Sequence, residues 1–168
     1  MPTDRGNSPL RQPFLDAMSR LTNTVCVVTT DGKAGRAGTT VTAMSPVSAD
    51  SEAPSLLVCL HADSLTAKAI AENDVFAVNV LGEGSSGLAD VFAGRHGASG
   101  PDKFDGVPHS SGATGSAHLD GAVDVFDCKA KLQQSWGCLL YTSPSPRDEL
   151  ADLVCRLLLE KGGGGGGG

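Results

Sequence analysis

Residues 25–43 read VCVVTTDGKAGRAGTTVTA and contain two β-branched runs separated by a turn. Residues 25–30 are largely β-branched, as strands prefer, and Asp31-Gly32 then begins a turn. Residues 39–43 resume the β-branched pattern, so the stretch predicts a hairpin with a rather long loop. A chain that turns back without a crossover helix indicates antiparallel pairing, because parallel strands need a long connection.

Outside this hairpin, hydrophobic periodicity predicts further strands and short helices. Strands are expected at residues 55–61, 76–81 and 122–132. Helices are expected at residues 14–21, 65–72 and 87–94, with Ser64 as the N-cap of the second. Residues 97–121 are rich in Gly, Ser and His, which predicts a long loop. About five strands with few crossover helices favour a closed or partly closed antiparallel barrel.

The composition excludes several classes of protein. The chain has 168 residues, a formal net charge of -6 and 40 % hydrophobic residues, which is typical of one globular domain. No apolar run approaches the ~20 residues of a membrane span, and residues 1–7 lack a secretory-signal pattern, so we expect a cytoplasmic protein without a membrane partner. Scattered Lys and Arg in an acidic chain argue against nucleic acid as a partner.

The spacing of cysteine and histidine predicts neither disulfides nor a metal site. The cysteines are odd in number and widely separated, so no disulfide framework or CxxC knuckle is indicated. They are Cys26, Cys59, Cys128, Cys138 and Cys155. The histidines lack the spacing of zinc ligands. They are His61, His96, His109 and His118.

Residues 138–168 differ in composition from everything before them. They begin with a polar Pro-Ser stretch and end in consecutive glycines. Back-translated, residues 138–148 and 152–159 resemble two adjoining sequencing-library adapters in one reading frame. A natural helix over residues 148–161 is the alternative, since its leucines have helical spacing. The chain is therefore expected to divide into a flexible N-terminus (1–13), a domain (14–137) and a non-native tail (138–168).

A glycine motif follows the strand predicted at residues 76–81. Gly82-Glu-Gly-Ser-Ser-Gly87 matches the G-x-G-x-x-G fingerprint of dinucleotide-binding folds. That fingerprint requires an acidic residue about 20 positions later, at the end of a second parallel strand. Residues 100–106 stand there instead and read as a loop, so a flexible glycine loop is the preferred interpretation.

Two other features suit a phosphorylated aromatic ligand. Residues 39–48 are rich in small and hydroxyl side chains, which let a strand edge approach a flat ring closely. In the strand-to-helix turn at residues 61–66, Ser64 and Thr66 offer hydroxyls beside the amides of a helix N-terminus, a favourable place for a phosphate. Each feature also has a plain structural explanation, which is N-capping by Ser64 and β-propensity in residues 39–42.

Six blocks of sequence, taken in order, resemble the flavin reductase-like family, whose members have an FMN-binding split barrel. The blocks lie at residues 14–30, 38–48, 54–60, 76–81, 103–104 and 121–128. The resemblance implies a β-dominated fold with short helices, an antiparallel Greek-key split β-barrel that forms a homodimer. Family members continue through a Gly-Asp-His turn, with that His near the nicotinamide site, whereas here Trp136-Gly137 runs into the tail. We therefore expect the barrel to be incomplete at its C-terminus, with strand edges left unpaired.

The resemblance also implies a function. Family members reduce FMN or FAD with NADH or NADPH and release the reduced flavin to a partner monooxygenase. Hydride passes from the nicotinamide to the flavin, so the protein mainly positions two rings, and no catalytic side chain is expected. The alternatives are a flavoprotein that keeps FMN as a non-catalytic binding module and an inactive truncated fragment of a flavin reductase.

By position, the resemblance assigns three groups of residues to the cofactor. The group that would line the isoalloxazine ring is Thr42, Ala43, Met44 and Ser45. The group that would hold the phosphate end is His61, Ala62, Ser64 and Thr66. The group that would close over the cofactor is Lys103 and Phe104. A solvated charge at Lys103 and a loop anchor at Phe104 explain this last group equally well.

Overall fold

The computed structural model describes residues 23–48 and 54–131, together with the backbone of three short strands at residues 134–136, 139–141 and 156–158. The strands of these residues are β1 (Cys26–Thr30), β2 (Ala37–Val41), β3 (Met44–Ser48), β4 (Ser55–Val58), β5 (Leu60–His61), β6 (Val75–Leu81), β7 (His109–Ser111), β8 (Ala117–Leu119), β9 (Ala122–Lys129), β10 (Gln134–Trp136), β11 (Leu139–Tyr141) and β12 (Arg156–Leu158). The helices are α1 (Leu65–Asn73), α2 (Ser86–Phe92) and a 3₁₀ helix at Gly100–Phe104. None of these helices is long and apolar enough to cross a membrane.

The largest sheet has five strands in the order β12-β9-β6-β1-β2. Within it, Val28 of β1 lies opposite Val78 of β6 on one side and opposite Thr39 of β2 on the other. Smaller sheets are formed by β3 with β4, by β7 with β8, and by β10, β11 and β5. Every strand pair in the described residues is antiparallel, which confirms the predicted architecture.

The five-stranded sheet has a hydrophobic core on each face. All residues of β1 are buried, and successive side chains of a strand point to opposite faces. Val28 belongs to one cluster, with Ile70 of α1 and Phe76 of β6. Val27 belongs to the other, with Phe92 of α2. The two helices therefore cover opposite faces of the sheet, and β1 has no exposed side.

Several predicted elements are confirmed. β1 and β2 form the expected hairpin, and β6, β9 and α2 lie within a few residues of their predicted positions. Ser64 is the N-cap of α1, since its hydroxyl oxygen accepts a hydrogen bond from the Ala67 amide at 3.1 Å. The helix ends at Asp74, which adopts the left-handed conformation with φ of 58°.

Two predicted strands have different bounds in the structure. The segment at residues 55–61 divides into β4 and β5 at Cys59, whose amide donates to the carbonyl of Ala43 at 3.0 Å. The strand predicted at residues 39–43 ends at Val41, and β3 then begins separately and pairs with β4. Apolar runs do not show where a chain bends from one sheet into the next, because the partner strand sets the bend.

The long loop predicted at residues 97–121 is largely structured, because it contains the 3₁₀ helix and the β7–β8 hairpin. Buried polar side chains of the main sheet hold this hairpin. Thr29 Oγ1 donates to the carbonyl of Ala117 at 2.6 Å, and Asn79 Oδ1 accepts from the amide of Leu119 at 2.8 Å. Strands of three residues in a Gly-rich segment carry no periodic signal, so the sequence pattern misses them.

The predicted helix at residues 14–21 and the predicted flexible terminus at residues 1–13 lie outside the described residues. From the segment at 138–168, β11 pairs with β5 and β12 pairs with β9. The outer edge of β9 is therefore paired, contrary to the expectation of an open edge there. Residues 156–158 also form a strand rather than part of the alternative helix.

Candidate functional site

A small cleft lies where the end of β2 meets the turn between β5 and α1. Its volume is about 240 Å³. The hydrogen bond from the Cys59 amide to the Ala43 carbonyl holds its two walls together. The residues that line the cleft are Thr39, Thr40, Val41, Thr42, Ala43, Cys59, Leu60, His61 and Ser64.

The cleft unites residues from the two groups that the resemblance assigns to the ring and to the phosphate. Thr42 and Ala43 come from the ring group and are exposed at the end of β2. His61 and Ser64 come from the phosphate group and lie in the turn before α1. The two groups are distant in sequence, and the pairing of β3 with β4 brings them together.

Ser64 can serve as an N-cap and as a ligand at the same time. A hydroxyl accepts up to two hydrogen bonds and donates one, and here the Ala67 amide occupies one acceptor position. The O–H group can therefore donate to an anion in the cleft. The first amides of a helix have no acceptor within the helix, and α1 has no acidic residue in its first turn. This end of α1 is electrostatically suited to a phosphate.

The remaining members of these two groups flank the cleft without lining it. Met44 packs against the core, and the Ser45 hydroxyl donates to the carbonyl of Pro46 at 3.2 Å. Ala62 is half-buried in the turn that precedes α1. Thr66 is only 3 % exposed, so its side chain faces the protein interior.

Lys103 and Phe104 do not line the cleft. Phe104 is buried, and its ring meets the ring of Phe92 edge to face with centroids 5.0 Å apart. Lys103 Nζ donates to the carbonyls of Gly38 at 3.2 Å and Phe92 at 2.9 Å. Partial burial lowers the pKa of Lys103 below its ordinary value. The two side chains fasten the 3₁₀ helix to β2 and α2.

The structure adds Cys59 and Leu60 to the site, which the sequence does not single out. They lie in the predicted strand at residues 55–61 and enter the cleft wall because that strand breaks at Cys59. Burial raises the pKa of the Cys59 thiol, so this side chain stays protonated at neutral pH and forms an apolar part of the wall.

Comparison with known proteins shows similarity to flavin reductases over most of the chain. Residues 18–140 match the family model described as the flavin reductase like domain. An FMN reductase (NADH) RutF from Stutzerimonas stutzeri is 38 % identical over 128 residues, which cover 76 % of this chain and 71 % of that protein. The corresponding protein from Ancylobacter novellus is 43 % identical over 119 residues, covering 71 % of this chain and 64 % of its own length.

Solved structures share the fold. BorF, the flavin reductase component of a bacterial two-component tryptophan halogenase, has a TM-score of 0.73 at 26 % identity and covers 89 % of this chain and 85 % of its own. The NADH:FAD oxidoreductase SgcE6 from Streptomyces globisporus has a TM-score of 0.75 at 22 % identity, covering 95 % and 86 %. The similarity to SgcE6 shows a shared fold alone. Together they confirm the predicted split-barrel class.

Proposed function

The chain belongs to the flavin reductase-like family, and we propose that it catalyses the reduction of FMN by NADH. The two relatives described above are named FMN reductase (NADH), and the proposal transfers that activity to this chain. The flavin supplies the redox chemistry, by accepting at N5 the hydride that leaves C4 of the nicotinamide. The chain's own residues bind the two molecules and hold their rings in contact.

The proposal depends on one observation. A single cleft combines a surface that a flat ring can approach with a place that suits a phosphate. Thr42 and Ala43 have small side chains, so a ring can approach the backbone at the end of β2. Ser64, the N-cap residue of α1, lines the same cleft, and the N-terminus of a helix suits the ribityl phosphate. None of the residues that line the cleft is acidic, and the carboxylate of that turn, Asp63, is exposed to solvent outside the lining.

The substitution Ser64→Asp separates the structural role of Ser64 from its proposed role in binding. Asp is as good an N-cap as Ser, so α1 should remain intact. The new carboxylate would face the phosphate, and the lost donor alone is worth about 1.5–3 kcal/mol. We expect the Kd for FMN to rise by roughly tenfold or more. The thermal midpoint should stay close to that of the wild type.

Two controls accompany this measurement. Riboflavin lacks the phosphate, so it should bind the wild type and Ser64→Asp with the same affinity. Ser99→Asp makes the same change of charge at an exposed residue and should leave the Kd for FMN unaltered. Flavin fluorescence gives the Kd values, and the loss of NADH absorbance gives the rates. An unchanged Kd for FMN in Ser64→Asp would place the phosphate elsewhere, and FMN binding without NADH oxidation would favour the non-catalytic binding module.

We also propose that the reduced flavin passes to an oxygenase partner, that the chain forms a homodimer and that it acts in the cytoplasm. Cys26 and Cys59 are free thiols, which suits a reducing compartment. Leu65 and Val123 are large apolar side chains that are 59 % and 64 % exposed, and burial by a second copy would cover them. Light scattering should give twice the mass of one chain.

Residues 14–137 are proposed as the functional unit, preceded by a flexible segment at 1–13 and followed by a tail at 138–168 that takes no part in binding. All residues that line the cleft lie before the tail, although β11 pairs with β5 at the cleft wall. A chain that ends at Gly137 should therefore bind FMN with an affinity near that of the full chain. A large loss of affinity would assign the tail to the domain.

A further inference from the structure

His109 begins β7, and both nitrogens of its ring have a partner. Nε2 lies 2.9 Å from Arg36 Nη1, and Nδ1 lies 2.7 Å from the carbonyl oxygen of Val107. A guanidinium can only donate a hydrogen bond, and a carbonyl can only accept one. Nε2 therefore carries no hydrogen and Nδ1 carries one, so the two contacts assign a single neutral tautomer to His109.

Arg36 is held from two further sides. Its Nε donates to Asp31 Oδ2 at 2.7 Å, and its guanidinium carbon lies over the ring of Phe104 at 5.4 Å from the centroid, where a cation is attracted to the ring face. The ring of His109 meets the same Phe104 ring edge to face, with centroids 5.6 Å apart. The contact between Arg36 and His109 thus joins the turn between β1 and β2 to β7, beside the buried Phe104.

A proton on Nε2 of His109 would break this contact. It would place an N–H group against an N–H group of Arg36, and two donors cannot form a hydrogen bond. It would also bring two positive charges together, and like charges that are close disfavour the charged form of the group that can lose its proton. Arg36 keeps its charge at all physiological pH values, so protonation of His109 and the contact exclude each other.

The other charged side chains near His109 on these elements do not replace Arg36 as its partner. Asp31 and Asp105 line the same cavity of about 500 Å³, but Asp31 is bonded to Arg36 and Asp105 is exposed. Among the described residues, neither forms an ion pair with His109. Lys103 of the 3₁₀ helix is a further cation, and it donates to backbone carbonyls of β2 and α2.

The facing strand β8 adds no charge opposite His109. Leu119 occupies that position. The next residue back, His118, lies 3.5 Å from the buried carboxylate of Asp127, and Asp120 after β8 is exposed. A proton on His118 would strengthen its contact with Asp127, so His118 responds to acid in the opposite sense to His109.

We propose that Arg36 and His109 form an acid-sensitive latch, which holds β7 against the β1–β2 turn at neutral pH and releases it when His109 is protonated. Histidine is the side chain that ordinarily changes charge between pH 5 and 8. The released state can bind this proton whereas the latched state excludes it, so acid favours release. The stabilisation from the latch is therefore present near pH 8 and is lost as the pH falls. The latch is independent of the proposed function, because neither residue lines the cleft.

Two neighbouring amides report separately on β7 and on the main sheet. The Asp120 amide donates to the carbonyl of Pro108 at 3.1 Å, so its protection from hydrogen exchange depends on the chain that enters β7. The Leu119 amide donates to Asn79 Oδ1 at 2.8 Å, and Asn79 belongs to β6. Release of β7 should therefore expose the first amide to exchange and spare the second.

Amide exchange followed by NMR at about pH 7.5 and about pH 5.5, corrected for the intrinsic rates, tests the latch. We expect the protection of the Asp120 amide to fall by roughly tenfold or more at the lower pH, while that of Leu119 stays within about twofold. His109→Gln supplies a side-chain oxygen that accepts from Arg36 at both pH values, so the fall should disappear. The matched control is His96→Gln, which makes the same change at an exposed histidine and should keep the full effect.

Nitrogen NMR of the wild-type imidazole tests the latch without a variant. His109 should carry its hydrogen on Nδ1 at about pH 7.5 and should carry hydrogens on both nitrogens once β7 is released. A hydrogen on Nε2 in the neutral form would overturn the proposal, as would equal protection of the Asp120 amide at the two pH values. A fall that persists in His109→Gln would also overturn it, because the response would then belong to another group.

Discussion

Replacement of Asn79 by Ala should remove the largest single polar anchor between the main sheet and the β7–β8 hairpin. Asn79 is fully buried in β6. Its Oδ1 accepts from the amide of Leu119 at 2.8 Å. Its Nδ2 lies 3.1 Å from the carbonyl of Val27, 3.2 Å from Thr29 Oγ1 and 3.3 Å from the carbonyl of Ala117, all of which accept from it. One side chain therefore connects β6, β1 and β8.

The structure also indicates the size of the effect. Asn79→Ala leaves the buried amide of Leu119 without its acceptor, which costs about 1–3 kcal/mol, and the lost bonds from Nδ2 add about 1 kcal/mol. We expect the free energy of unfolding to fall by about 2–4 kcal/mol in total. Since domains are stable by about 5–15 kcal/mol, this is a large fraction of the whole, but the variant should still fold.

Urea denaturation followed by circular dichroism measures this change. Thr29→Val is the matched control, because it removes the bond that Thr29 Oγ1 donates to the Ala117 carbonyl and the bond it accepts from Asn79 Nδ2, while Nδ2 still donates to that carbonyl. The control should lose about 1 kcal/mol. Hydrogen exchange should also show faster exchange of the Leu119 amide in Asn79→Ala. A loss below about 1 kcal/mol in Asn79→Ala, no greater than in the control, would show that Asn79 does not anchor the hairpin.

Two further predictions concern the elements that surround the site. In Gly38→Ala the new Cβ would lie 2.7 Å from Phe92 and 3.2 Å from Phe104, both buried, so urea denaturation should show a loss of about 1–3 kcal/mol. Gly87→Ala, where no atom lies within 4 Å, should be neutral or stabilising, and equal losses in the two variants would contradict the steric argument. Burial lowers the pKa of Lys103 below its ordinary value near 10.5, so the folded state binds fewer protons than the unfolded state between the two pKa values. The contribution of Lys103 to the free energy of unfolding should therefore rise with pH across that interval. Denaturation at several alkaline pH values should show this rise in the wild type and not in Lys103→Met.

Much of the fold and part of the site follow from local sequence. Local sequence predicts three features: the β-branched runs of β1 and β2, the N-cap at Ser64, and the helix-forming residues of α1. Each depends only on neighbours a few residues away. The family resemblance adds Thr42, Ala43 and His61, which the structure does place in one cleft with Ser64. These residues are predictable because they lie at the ends of regular elements: Thr42 and Ala43 follow β2, and His61 and Ser64 precede α1.

Other parts of the site depend on contacts between distant segments. Ser64 and Thr66 are two positions apart and chemically alike, yet Ser64 lines the cleft whereas Thr66 is buried. The difference arises because successive helical residues are rotated by about 100°, so two positions change the face of the helix. No property of the side chains themselves distinguishes them.

The antiparallel strands, the helix start at Ser64 and the glycine loop after β6 follow from local sequence, because periodicity, capping and backbone freedom act over a few residues. Contacts between distant segments are needed to show that Lys103 and Phe104 fasten the 3₁₀ helix to the sheet and that the Gly-rich segment contains a hairpin held by Asn79. They are also needed to show that the glycine loop lines a second cavity, which shares Thr40 and Thr42 with the cleft. Which way a side chain points, and which group hydrogen-bonds a buried polar atom, both depend on the segments that pack against it. Those segments are remote in the chain, so local sequence does not reveal them.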